Sequence, residues 1–154
     1  YIIENNRYGM GTSIERASAS VDFVSRGDAY GIAGRQVDGM DVVKVHEAAQ
    51  EALAYVRAGK GPYLLEMQTY RYRGHSMSDP AKYRTKEEVQ KMRTEKDPIE
   101  SLKETLVSLG HIDEDALKAM DKQVRERINK AADFAQESAE PDPAELYTDI
   151  LIEA

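Results

Sequence analysis

The sequence predicts an α/β fold, a parallel sheet flanked by helices, followed by a helical C-terminal tail. Residues 34–70 give strand, helix and strand signals in succession, with turn residues between them. From Thr85 onward, Thr or Asp recurs three residues before Glu at the head of stretches with helical apolar spacing. The composition, 41% apolar and 32% charged with only 7% aromatic, agrees with a globular chain rich in charged surface helices.

Tyr1-Ile2-Ile3 reads as the end of a buried strand running straight into Glu4-Asn5-Asn6. A chain that opens inside a strand reads as processed, or as a piece of something longer. Gly9, Gly11 and Gly27, interspersed with serines, make residues 7–31 loop-rich, and Val21–Val24 is at most a short helical turn. Gly34–Asp38 is a short strand. Asp41 is placed to cap a helix reaching about Arg57, with Val45, Ala49, Ala52, Leu53 and Val56 on one face and Gly59 just past its end. Pro62–Tyr70 reads as a second buried strand. A β-α-β unit builds a parallel sheet, and ligands of such sheets sit beyond the carboxyl ends of the strands. The polar stretches after Ile3 and after Tyr70 both start at such an end.

In the tail, Thr85…Glu88, Asp97…Glu100 and Asp142…Glu145 have capping-box spacing, with Pro98 and Pro143 at the first helical position. Ile99, Leu102, Leu106 and Leu109 line one face of a helix that Gly110 ends. Leu117, Met120, Val124, Ile128, Ala131 and Ala135 line a longer one. Both stripes read as core, and residues 147–152 suit helix or extended chain equally. The expected division is a partial α/β domain over 1–84 with a helical region over 85–154 packed on it.

Several classes of function drop out. With no cysteine, disulfide scaffolds, thiolate zinc sites and cysteine nucleophiles are excluded. No apolar run is long enough to span a membrane, and a net charge of −7 repels nucleic-acid backbones, so neither membrane nor nucleic acid is an expected partner. Against that background, residues 69–85 carry Arg71, Arg73, Lys82 and Arg84 with Asp79 alone, a local excess of positive charge that seeks anions.

Glu4-Asn5-Asn6-Arg7-Tyr8-Gly9-Met10-Gly11 sets two amides at a strand end, followed by glycines that let backbone approach a ligand. Amide and carbonyl oxygens are hard neutral donors suited to Mg²⁺ already bound to a diphosphate. The same residues suit an Asn-rich turn that merely caps the strand. Thr69–Pro80 offers guanidinium groups for phosphate or carboxylate, His75 as a group able to move a proton near neutral pH, and two hydroxyls. His46 and His111 read as ordinary helix and turn residues. No Walker or dinucleotide-type glycine loop, HExxH or nucleophile elbow is present.

Five stretches, ENNRYGMGTS at 4–13, RGDAYGI at 26–32, VDGMDV at 37–42, GKGPYLLEMQTYRYRGHSMSDP at 59–80 and YRTKEEV at 83–89, closely resemble the E1 α subunits of the thiamine-diphosphate-dependent 2-oxoacid dehydrogenases. The GHSMSDP run matches the pyruvate dehydrogenase branch. The resemblance implies the C-terminal part of a three-layer thiamine-diphosphate-binding fold. It also implies decarboxylation of pyruvate with thiamine diphosphate and Mg²⁺, and acetyl transfer to the lipoyl group of a dihydrolipoyl acetyltransferase (E2). The expected assembly is an α2β2 heterotetramer with an E1 β subunit, in the bacterial cytoplasm or the mitochondrial matrix.

By the same resemblance, Asn6 gives a side-chain oxygen to Mg²⁺ and Tyr8 a carbonyl. His75 contacts the cofactor diphosphate and assists reductive acetylation, and Arg71 organises the cofactor-bound loop. Ser76 and Ser13 match serines phosphorylated in mitochondrial members, where an added charge of about −1.5 to −2 would repel the diphosphate. The chain departs from the family pattern in two places. The family's GDG motif, with its metal-ligand aspartate, would precede Tyr1, and Gly27-Asp28-Ala29 is no substitute. Lys82 stands in a loop one residue shorter than in mitochondrial members, which points toward a bacterial chain. An acetoin or branched-chain relative, or a non-catalytic assembly module, are the rival expectations.

Overall fold

The computed structural model describes residues 1–150. It divides into two compact units, Tyr1–Ser108 and Leu109–Ala154.

In the first unit, β1 (Ile2–Asn5), β4 (Ala33–Asp38) and β5 (Tyr63–Gln68) form an all-parallel sheet in the order β1-β5-β4. The predicted β-α-β unit is present, with α3 (Val42–Arg57) as its crossover. The register sets Asn5, Gln68 and Asp38 in one row, so all three strands deliver their carboxyl ends to the same edge. The central strand β5 is the most enclosed, with Leu65, Glu66 and Met67 buried, as the apolar run predicted. The buried strand expected at the chain's start is instead an edge strand of this sheet. Ile2 is 71% exposed and only Asn5 is buried.

Asp41 caps α3 by accepting from the Val43 and Lys44 amides at 3.0 and 3.1 Å. The Lys44 amide, together with that residue's side chain, holds the Asp41 carboxyl below the usual aspartate range. Gly59 follows the helix at φ +71°, a left-handed position that favours glycine. The face α3 turns to the sheet differs from expectation. Ala48 and Ala52 pack on Val37, Leu65 and Met67, with Val45 beside them, whereas Leu53 and Val56 are 44% and 48% exposed. Two alanines facing the sheet let the helix axis come close to it, and the larger Leu53 and Val56 lie outside that contact line.

Within the loop-rich stretch, β2 (Tyr8–Gly9) and β3 (Thr12–Ser13) make a small antiparallel hairpin, followed by short turns of helix α1 (Ile14–Ala17) and α2 (Ser25–Asp28). The helical turn expected at 21–24 begins four residues later. Asp22 accepts from the Val24 and Ser25 amides and so starts it.

Three further helices follow, α4 (Lys86–Glu95), α5 (Pro98–Ser108) and α6 (Glu114–Glu137). Thr85 caps α4 by accepting from the Glu88 amide at 3.0 Å, but the Glu88 carboxylate is engaged elsewhere, so the box is half formed. Asp97 caps α5 through the Ile99 and Glu100 amides. The third box opens only a 3-10 turn, Pro143–Tyr147, and residues 151–152 of the run considered beyond it lie outside the described residues. The apolar stripes were expected to be core and are not. Leu102 and Leu106 are half-buried but Ile99 is 75% exposed, and Met120, Val124 and Ile128 on α6 are all exposed. An amphipathic helix is covered only where another element meets its apolar face, and α6 is the only α-helix of the Leu109–Ala154 unit among the described residues.

Candidate functional site at the carboxyl edge of the sheet

The strand ends carry the polar motifs, as their positions in the sequence predicted. After β1, the Arg7 amide donates to Asn5 Oδ1 at 3.1 Å, closing a turn with Asn6 at its centre and Arg7 at φ +71°. Asn5 Nδ2 donates to Glu66 Oε1 at 2.8 Å. After β5, the Thr69 amide donates to the Asn5 carbonyl at 2.9 Å, and Thr69 Oγ1 donates to Asn6 Oδ1 at 2.8 Å. The two strand ends are thus joined through Asn6 itself, which is half-buried.

The loop that follows is organised around Asp79. Its carboxylate accepts from the His75 amide at 2.7 Å, the Ala81 amide at 2.8 Å and the Tyr83 hydroxyl at 2.9 Å. These bonds, the His75 amide first, hold the Asp79 carboxyl below the ordinary aspartate range. Gly74 is required by the same packing, since a Cβ there would lie 2.7 Å from the Asp79 carboxyl carbon. His75 and Ser76 are exposed, Ser76 Oγ lies 3.0 Å from Ser78 Oγ, and Arg71 donates to the Gly74 carbonyl at 3.2 Å. Ser13 ends the hairpin opposite Tyr8.

Arg84 fastens this loop. It donates to the Tyr72 carbonyl at 2.7 Å and to the Arg71 carbonyl, and its guanidinium lies 5.2–5.7 Å from the ring centres of Tyr8, Tyr70 and Tyr83. Tyr8 and Tyr70 then converge on Glu88 Oε1 at 3.0 and 2.7 Å. Burial, reinforced by the bond to Glu88 and opposed by Arg84, pushes the Tyr70 hydroxyl up to about 12.

Several cavities open at this edge, two of them beside Asn6 and His75. Asn5, Asn6 and Tyr8 line one of about 230 Å³; His75, Ser76 and Lys82 line another of about 520 Å³. The hairpin borders both, through Tyr8, Gly9 and Thr12 on one side and Met10 and Gly11 on the other. Asn6 and His75 therefore line different members of this pair of cavities. Arg71 lines neither. Among the described residues, no cluster of three or more His, Asp or Glu is placed to hold a metal.

In the sequence Asp79 and Arg84 stand out only as charges and Glu88 only as a cap, and no local pattern marks Glu66. The partners of these residues lie up to 80 positions away in sequence, as with Tyr8 and Glu88, and no local pattern announces them.

The model of the dehydrogenase E1 component family matches residues 1–144. The chain belongs to this family. Among its relatives is the α subunit of the pyruvate dehydrogenase E1 component of Rhizobium meliloti (strain 1021), 63% identical over 152 residues, which are 99% of this chain and 44% of the relative. The Zymomonas mobilis protein of the same name is 51% identical over 152 residues, 99% of this chain and 43% of the relative. The mitochondrial somatic form from Sus scrofa is 54% identical over 147 residues, 95% of this chain and 37% of the relative. The chain spans less than half the length of these relatives. No helix among the described residues is long and apolar enough to cross a membrane.

Proposed function

We propose that this chain forms part of the α subunit of a pyruvate dehydrogenase E1 component, oxidising pyruvate and passing acetyl to the lipoyl group of a dihydrolipoyl acetyltransferase. The observation that carries the reading is the junction of the two strand ends, Thr69 Oγ1 on Asn6 Oδ1, at the edge of a parallel sheet where such folds receive ligands. The neutral oxygen set fits Mg²⁺ whose charge is already offset by a diphosphate.

On this reading Asn6 contributes its side-chain oxygen and Tyr8 its carbonyl to Mg²⁺, and the remaining ligands come from outside this chain. Bound thiamine diphosphate supplies the electron sink for decarboxylation. His75 projects from the loop to contact the diphosphate and to move a proton during acetyl transfer, while Asp79 fixes the backbone that carries it. Arg71 orders the loop through the Gly74 carbonyl. Ser76 and Ser13 are sites where a phosphate would add negative charge near the same diphosphate. The partners are an E1 β subunit in an α2β2 assembly and the E2 acyltransferase. Lys82 and the bacterial relatives favour a bacterial cytoplasm over the mitochondrial matrix.

Isothermal titration with thiamine diphosphate and Mg²⁺ tests the reading. The isolated chain neither binds the pair tightly nor decarboxylates pyruvate, and addition of an upstream segment and β subunit restores both. Micromolar binding by residues 1–154 alone would contradict it. Restored activity that survives His75→Ala would support an assembly role instead, and a substrate panel of pyruvate, acetoin and branched-chain 2-oxoacids on the restored complex separates the enzyme readings.

A further inference from the structure

Glu66 is fully buried in the central strand, and both of its carboxylate oxygens are used as acceptors. Oε1 takes Asn5 Nδ2 at 2.8 Å; Oε2 takes the Phe23 amide at 3.0 Å and Gln36 Nε2 at 3.2 Å. The orientation of the Asn5 amide is not free. A backbone N–H can only donate, so the Arg7 amide on Asn5 Oδ1 forces Nδ2 toward Glu66. The Phe23 amide is likewise a fixed donor. Glu66 therefore faces a donor on each oxygen, a role that a carboxylate fills and a carboxamide cannot.

From this geometry we infer that Glu66 is a positioning residue for the diphosphate-metal site: it fixes the Asn5 amide, Asn5 closes the turn on Arg7, and the closed turn presents Asn6. The inference rests on reading Asn6 as a metal ligand. Buried groups that orient a metal ligand from behind commonly change metal affinity when altered, even though they never touch the ion.

The polarity can be inverted. In Glu66→Gln the new NH₂ would forfeit two acceptor contacts facing Phe23 and Gln36 but only one facing Asn5, so it turns to Asn5 Nδ2 and that contact is lost. In the double variant Asn5→Asp with Glu66→Gln, the carboxylate now at position 5 accepts from both the Arg7 amide and the carboxamide NH₂ now at position 66. The carbonyl of that carboxamide still accepts from Phe23 and Gln36, and the lost contact returns. Asn5→Asp alone sets two carboxylates against each other in place of the Asn5 Nδ2 contact.

The full-length polypeptide, assembled with its partner subunit, is measured in two ways: hydrogen exchange at the Arg7 amide without cofactor, and the Kd for thiamine diphosphate at saturating Mg²⁺. Glu66→Gln accelerates Arg7 exchange and raises the Kd about 10- to 100-fold. The double variant restores exchange protection and brings the Kd back to within about threefold of wild type, a recovery that general destabilisation does not produce. Gln36→Leu, which removes the partner remote from Asn5, leaves both readouts near wild type. If Glu66→Gln fails to fold, recovery of folding in the double variant supports the pairing. Unchanged Arg7 exchange and Kd in Glu66→Gln, or a double variant no better than Glu66→Gln, overturns the inference. Absence of cofactor binding by wild type would overturn Asn6 as a ligand, and Arg7 exchange would then decide whether Glu66 sets the turn.

Discussion

Glu88→Ala removes the acceptor on which two tyrosines from distant parts of the chain converge, and its consequences are calculable. Tyr70 and Tyr8 each lose a hydroxyl-carboxylate bond, at 2.7 and 3.0 Å. At about 1 kcal/mol per half-buried bond, the loss of folding stability is about 2 kcal/mol. The Thr85 cap on α4 is a backbone contact and survives the change. The Tyr70 hydroxyl stands at about 12 against an ordinary value of 10.0, with desolvation the larger cause and Glu88 the next. Removing Glu88 therefore lowers it part of the way toward 10.0 and leaves the desolvation share. The sign of the linkage follows. A phenol whose folded-state pKa is raised contributes stability that is intact below about pH 10 and is lost as pH climbs toward 12. The whole displacement corresponds to about 3 kcal/mol at most. Urea unfolding near neutral pH and tyrosinate absorbance across the alkaline range supply the two readouts. The reasoning is refuted if the variant loses less than about 0.5 kcal/mol and the late tyrosine titration does not move.

Other expectations concern the edge of the sheet and the helix facing it. In Gly39→Ala, the new Cβ would lie 2.6 Å from Thr69 Cγ2 and 3.1 Å from the Gln68 carbonyl, so the chain loses about 1–3 kcal/mol and Thr69 moves off Asn6, read by thermal unfolding and cofactor titration. Because Asp79 is held below the usual aspartate range, its bonds are intact above about pH 4 and are lost as pH falls through its lower native value; the protection of the His75 and Ala81 amides relative to their intrinsic exchange rates falls there. Ala52→Leu overpacks α3 against the sheet and lowers the melting temperature, whereas Leu53→Ser changes it little, because residue 53 faces outward.

The parts of the fold legible in sequence were those governed by near neighbours. Asp41 and Gly59 bracket α3 through contacts within a few residues, and the β5 apolar run needs no partner to be recognised. The inward face of α3 was misread because hydrophobicity favours Leu53 and Val56, while the packing distance to a sheet favours the smaller Ala48 and Ala52. The α6 stripe is real as a pattern, but burial depends on what meets it, which periodicity does not encode. At the candidate site, Asn6 and His75 stand out in the sequence by residue type and by position after strands. Glu66, Asp79, Arg84 and Glu88 did not. Their roles come from contacts spanning between 4 and 80 positions, made only once the sheet and loop are in place.

Thiamine diphosphate bound with Mn²⁺ in place of Mg²⁺ offers the most direct measurement, made on the assembled complex with the side chains of Asn6 and His75 isotopically labelled. If one diphosphate-metal unit bridges the two cavities at the sheet edge, paramagnetic broadening reaches both labels and vanishes when the cofactor is omitted. Broadening of Asn6 with a sharp, unperturbed His75 signal would mean that the two residues serve different sites.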